Sequence, residues 1–193
     1  METPNLTPEK SLEIITQVIN EARTKLEENG FIYVFWGVLT AIASISQFIL
    51  LKNEYYDINY YPYFLMPLGG IYTGYYFYRK GKAKPNQIGK IVSVAWVTIS
   101  LNIMILAFAF SYILQEHLTP IILILLGIGL FISGGAIKSR LIIVSGILIN
   151  ISGYICFNLK WINHSLLMCI VSIIAILIPG IILMIEHKRK KNV

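Results

Sequence analysis

"IILILLGIGLFISGGAI", residues Ile121–Ile137, carries no charge and never alternates apolar with polar positions. A strand in a membrane barrel reads apolar and polar in turn. An open strand fails differently, because lipid offers no partner for its backbone groups. An unbroken apolar run suits a helix that satisfies its own backbone and meets hydrocarbon all round. About 20 such residues cross the hydrocarbon core at 1.5 Å per residue. The stretch therefore reads as a membrane helix, and the question becomes how many others the chain holds.

The 193-residue chain is 56% apolar and only 13% charged, where soluble domains carry about 25% charged residues. The shortfall falls in six runs, 31–51, 62–78, 91–114, 118–137, 141–159 and 162–185. The fold class expected is all-α. It is a polytopic membrane protein with six transmembrane helices in residues 31–186, after an N-terminal segment 1–30 and before a basic tail 187–193. The polar, acidic start lacks the basic region and short apolar core of a cleaved leader, so no leader is expected.

The net charge of +6 would fit nucleic acid, but its placement argues against that partner. Arg79, Lys80, Lys82, Lys84 and Lys90 fall between spans two and three. Lys138 and Arg140 fall between four and five, and Lys188, Arg189, Lys190 and Lys191 close the chain. The alternate loops hold only Lys52 and Lys160. Basic loops stay in the cytoplasm. Both termini are therefore expected there, in a bacterial cytoplasmic (inner) membrane whose anionic lipids attract the bases. The lipid bilayer is one partner implied, and no nucleic acid is.

Ahead of the first span, "TPEKSLEIITQVINEARTKLEENG" has helix start and stop signals. Thr7 can cap, Pro8 suits the first helical position, and Asn29-Gly30 ends the run. Across residues 8–29, Leu12, Ile15, Ile19, Ala22 and Leu26 recur at spacings of three and four, a narrow apolar contact seam. Helices that lie on lipid are rich in Lys and Arg on the polar face. This one is net acidic, with Glu13, Glu21, Glu27 and Glu28 against Arg23 and Lys25. Its sign favours a protein surface over lipid: the chain's own basic inner face, a second copy in a homo-oligomer, or a cytoplasmic protein. Asn29-Gly30 is either a working hinge or the place where the chain changes solvent. Phe31, Tyr33, Phe35 and Trp36 then stand where an interfacial aromatic belt is expected.

"GFIYVFWGVLTAIASISQFILL", "MPLGGI", "GIGLFISGGAIKSRLIIVSGIL" and "LIPG" together resemble an uncharacterised six-span inner-membrane protein family of Bacteroidetes-type bacteria. The likeness runs over most of the chain. It implies an inner-membrane location and supplies no activity, substrate or site residue.

Ionisable residues deep in a membrane mark function by default, and none of the six runs holds an Asp, Glu, Lys, Arg or His away from its ends. Glu116, Glu186, His117, His164 and His187 fall at or beyond run ends. No Zn-type spacing of Cys and His occurs. Gly127, Gly129, Gly134 and Gly135 lie inside a span and not between strand and helix, so a phosphate loop fails on context. No cofactor, metal or catalytic residue is assigned, and the chain reads as no enzyme. Cys156 and Cys169 read as small packing residues.

Two amides, Asn102 and Asn150, sit deep in spans three and five at similar depth. Each could bond across a helix contact or coordinate a ligand. Pro67, with Gly69 and Gly70, should kink or break span two near the same depth. Interrupted helices build midplane sites in transporters, so Pro67, Gly69, Gly70, Asn102 and Asn150 form the candidate midplane pocket or packing group. Pro179-Gly180 should bend span six. The Tyr55, Tyr56, Tyr60, Tyr61, Tyr63 and Phe64 cluster reads as an interfacial girdle or a stacking surface.

The function expected is a non-catalytic integral membrane protein acting through protein contacts of its amphipathic helix and basic inner face. The alternative is a small-solute binding or transport protein with a midplane site near the span-two break. A lipid-acting enzyme ranks third, because no acidic or His cluster marks a membrane face.

Overall fold

A computed structural model describes residues 8–28, 30–80 and 87–191 of the chain; the side chains of 9, 22–28, 80, 87, 190 and 191 lie outside that description. Every regular element among the described residues is helical. In order these are α1 (Pro8–Glu28), α2 (Gly30–Lys52), α3 (Leu65–Lys80), α4 (Gln87–Ala109), the single turn α5 (Ser111–Leu114), α6 (Leu118–Ala136), α7 (Arg140–Cys156), α8 (Trp161–Ser172) and α9 (Ile178–Lys191). Short 3₁₀ turns cover Tyr61–Phe64 and Gln115–His117, and a π turn covers Ile173–Leu177.

Four helical stretches are long and apolar enough to cross a membrane: Gly30–Lys52, Ile88–Ala109, Ser111–Ala136 and Trp161–Arg189. α7 is apolar but has 17 residues, and α3 has 16. At 1.5 Å per residue each reaches about 25 Å, short of the roughly 30 Å hydrocarbon core.

Two local expectations change. The break at Pro67, Gly69 and Gly70 does not occur, because α3 begins at Leu65 and runs unbroken to Lys80. Pro67 falls in its first turn, where a missing N–H costs little. Span three was drawn to residue 114, but α4 ends at Ala109 and Phe110 leaves the helical region at φ −117° and ψ 2°. Pro179 is met by a π turn immediately upstream. It has no N–H to offer the Ala175 carbonyl, and the widened turn takes up the mismatch.

Small residues set the packing. α6 and α7 form an antiparallel pair with glycines seven apart on each helix. A methyl built on Gly127 would lie 2.8 Å from the Asn150 backbone nitrogen; one on Gly134 would lie 2.6 Å from that of Ile143. One on Gly146 would lie 2.6 Å from the Phe131 nitrogen, and one on Gly153 would lie 2.7 Å from Ile124 Cγ1. Only glycine allows these backbones so close. The turn between them ends α6 with Lys138 at φ 53°. Lys138 N bonds Gly135 O at 3.2 Å and Ser139 N bonds Gly134 O at 2.9 Å, a Schellman pair with lysine where glycine is usual.

α2 packs antiparallel on α8, the π turn and α9 by the same means. Gly30 faces Met184, Gly37 faces Leu177, and Gly180 faces Tyr33 and Val34. Leu123, Leu130, Ile142, Ile149, Cys156, Met168, Val171, Ala175 and Leu183 fill the space between the α6–α7 pair and α8–α9. Cys156 and Cys169 are free and buried. α3 leans on the outer side of α2, and α4 on the outer side of α6.

These contacts gather the bases. Phe31 stacks near Tyr76 and Gly30 meets Met184, so the start of α2, the end of α3 and the end of α9 share one end of the bundle. α7 also begins there, since it finishes where α8 starts. Arg79, Lys138, Arg140, Lys188 and Arg189 thus lie at one end, and Lys52 and Lys160 at the other.

Candidate functional site

The five residues grouped at mid-depth have three separate sets of neighbours. Gly69 lies on α2, where a methyl would meet Leu39 Cδ2 at 2.6 Å and Trp36 at 3.3 Å. One turn on, Thr73 Oγ1 donates to Gly69 O at 2.8 Å and accepts the Trp36 indole N–H at 3.1 Å. Gly70 faces open space and Pro67 is half-buried. Asn150 Nδ2 donates across to the Ile124 carbonyl at 3.3 Å, which ties α7 to α6. Asn102 Nδ2 donates to Thr98 O of its own helix at 2.8 Å, and its side chain is exposed. Among the described residues, no hydrogen bond joins the two amides. A groove of about 280 Å³ runs past Asn150 on the outside of the α6–α7 pair, lined by Ile128, Phe131, Gly146, Ile147, Ile151 and Tyr154. It opens to the outside of the bundle, and its walls are apolar apart from Asn150.

The seam of α1 is uncovered over its first half. Leu12 is 65% exposed and Ile15 54%, with Ile14 beside them at 47%. Ile19 is half-buried, while Ala22 and Leu26 lie outside the described side chains. α1 approaches α9 most closely and α4 less so, which sets it at the basic end. Thr7 and Asn29, the predicted cap and stop, are outside the described residues; Gly30 opens α2 and is buried.

A buried polar cluster at the other end was not read from the sequence. Gln47 Nε2 donates to Asn59 Oδ1 at 3.0 Å, and Ser165 Oγ donates to Gln47 Oε1 at 2.5 Å. Asn59 donates back to the Tyr56 carbonyl, and Ser44 Oγ pairs with the Tyr63 hydroxyl at 3.2 Å. Ser44, Asn59 and Ser165 are all buried. The cluster fastens the 53–64 loop onto α2 and α8. Hydrogen-bonded amides and hydroxyls of this kind hold structure together. Close by in sequence, His164 is 3% exposed; Nε2 contacts Leu159 O at 3.1 Å and Nδ1 has no partner. Gln47 was the available signal: an amide in the otherwise apolar Gly30–Lys52 run.

Aromatic rings crowd both ends. Tyr61 meets Tyr60 and Phe64 edge to face and Phe64 reaches Phe108 at 6.2 Å, while Tyr56 lies over Trp161 at 6.3 Å. At the basic end Phe35 meets Tyr72 at 4.9 Å, and the Arg79 guanidinium sits over Tyr75 at 5.6 Å. Among the described residues no group of three His, Cys, Asp or Glu comes together to hold a metal.

The fold defines a helical protein with several helices apolar and long enough to cross a membrane. No protein family, no characterised protein and no solved structure matches the chain. Its role is therefore argued from its own surfaces.

Proposed function

We propose that this chain is a non-catalytic, multi-pass protein of the bacterial inner membrane that works through protein contacts made by α1 at its basic end. α3 and α7 complete six crossings in this reading, with the bilayer thinned or the helix ends capped by aromatic and basic side chains. The basic end faces the cytoplasm because Lys and Arg loops are retained there, and both termini lie on that side.

The observation that carries the proposal is the exposed Leu12, Ile14 and Ile15 patch on a helix bearing Glu13 and Glu21. Water does not favour such a patch, and anionic lipid repels its acids. A protein surface satisfies both. A solute site at mid-depth has less support, since Gly69, Asn102 and Asn150 pack in three different places.

Photo-crosslinking from Leu12 and Ile15 in intact membranes tests the reading. Discrete protein adducts that disappear when Ile15→Glu is introduced are expected. Adducts to lipid alone would overturn it. Orientation is checked separately: a cysteine at Lys188 should react with a membrane-impermeant maleimide only after the cells are opened, and one at Asp57 beforehand.

A further inference from the structure

α4 packs on α6 along one edge, with lesser contacts to α1 and between Phe108 and Phe64. Trp96 Nε1 donates to Ser133 Oγ at 2.9 Å, and Ile99 lies against Gly129. Few of its residues are buried. The exposed remainder is of two kinds. Opposite α6 stand Val94, Val97, Leu101, Met104 and Phe108, all apolar, which lipid tails cover well. Roughly 100° round the helix from the α6 contact runs a second stripe: Ile91, Ala95, Thr98, Asn102, Ile105 and Ala109, spaced alternately by four and three.

Asn102 sits in this stripe about 21 Å from Ile88 and about 10 Å from Ala109, inside the hydrocarbon if α4 crosses it. Its bond to Thr98 O uses one amide hydrogen. The other hydrogen and the carbonyl oxygen have no partner among the described residues, and hydrocarbon supplies none.

An amide is donor and acceptor at once, so another amide complements it. A second copy inserted in the same sense presents its own Asn102 at the same depth, across a two-fold axis along the membrane normal. Parallel helices with such a stripe take their register from a single Asn. Ala95, Thr98 and Ala109 are small enough for the backbones to approach. We propose that this protein forms a homodimer in the membrane through α4, with Asn102 of each copy bonding the other. The proposal rests on α4 crossing the bilayer and is independent of what α1 binds.

The test is oxidative crosslinking in native membranes of the full chain carrying one added cysteine. Cys156 and Cys169 are buried, so the unmodified chain gives the baseline. Thr98→Cys and Ile105→Cys should yield a disulfide-linked dimer, and Leu101→Cys and Met104→Cys should not. Asn102→Leu changes an exposed side chain and leaves the monomer folded. It should raise the dimer dissociation constant in lipid bilayers by about threefold to tenfold. Crosslinking equal on both faces, none at the stripe, a crosslinked band containing a different protein, or a dimer unaffected by Asn102→Leu would each overturn the proposal.

Discussion

Replacing Gly146 by alanine puts the close approach of α6 and α7 to a quantitative test. The new methyl would sit 2.6 Å from the Phe131 nitrogen and 2.9 Å from the Gly127 carbonyl oxygen, both backbone atoms that cannot rotate away. Ordinary contact begins near 3.4 Å, so the helices must part locally by about 0.8 Å. Overpacking of this kind costs about 1–3 kcal/mol. Parting also stretches the Asn150–Ile124 bond, already 3.3 Å, and such interhelical bonds contribute about 0.6 kcal/mol. Alanine returns up to about 1 kcal/mol through its helix preference. Gly135→Ala removes that last term from the comparison, because nothing lies within 4 Å of its added methyl. The two variants should therefore differ by about 2–3 kcal/mol. Reversible unfolding by SDS in mixed micelles, followed by tryptophan fluorescence, reads the difference. Values within about 0.5 kcal/mol of each other would mean that α6 and α7 do not pack through these glycines.

Lys138→Gly relieves a left-handed lysine at φ 53° and should stabilise the hairpin by about 1 kcal/mol, read in the same unfolding assay. Ser165→Ala leaves Gln47 Oε1 buried without its 2.5 Å donor. It should cost about 1–3 kcal/mol and speed proteolysis of the 53–64 loop, whereas Ser152→Ala, at an exposed serine bonded within its own helix, should be near neutral. Trp96→Phe removes the indole bond to Ser133. A loss of about 1 kcal/mol is expected, together with faster hydrogen exchange confined to α4.

The positions of the helices along the chain were legible in the sequence; direction round each helix was not. Apolar runs set where helices lie: runs 31–51, 62–78, 118–137 and 141–159 fall within three residues of α2, α3, α6 and α7, whereas 91–114 overshoots the end of α4 by five and 162–185 stops six short of the end of α9. The azimuth of a side chain is set by which neighbour the helix meets. The sequence put Asn102 and Asn150 at similar depth, but it did not show that one faces α4's open side and the other α6. The span-two break failed for a related reason: a proline breaks a helix only in its interior, and the run's first residues belong to the Tyr61–Phe64 turn. Spacing alone placed Leu12 and Ile15 on one face of α1, where both are exposed, and the described bases of alternate loops gather at one end of the bundle. The Gln47, Asn59 and Ser165 cluster was not, because its members are far apart in the chain and meet only through the fold of a loop read as an aromatic girdle.

The π turn at Ile173–Leu177 has a consequence for everything after it. On α8 the side turned to α2 runs Ser165, Cys169 and Ser172; beyond the turn it continues at Leu177, Gly180 and Met184. A regular helix would have brought Pro179 and Leu183 round to that side, and the proline ring would have met the backbone at Tyr33 and Val34. The extra residue acts as a phase shift of about 100°. It aligns two out-of-step halves, so one long rod serves α2 along its whole length while its other flank stays with α6 and α7. Deleting a single residue there would remove the phase shift, leave Pro179 inside a regular α-helix where its ring meets a carbonyl one turn back, and turn the Lys188–Arg189 terminus away from its present bearing.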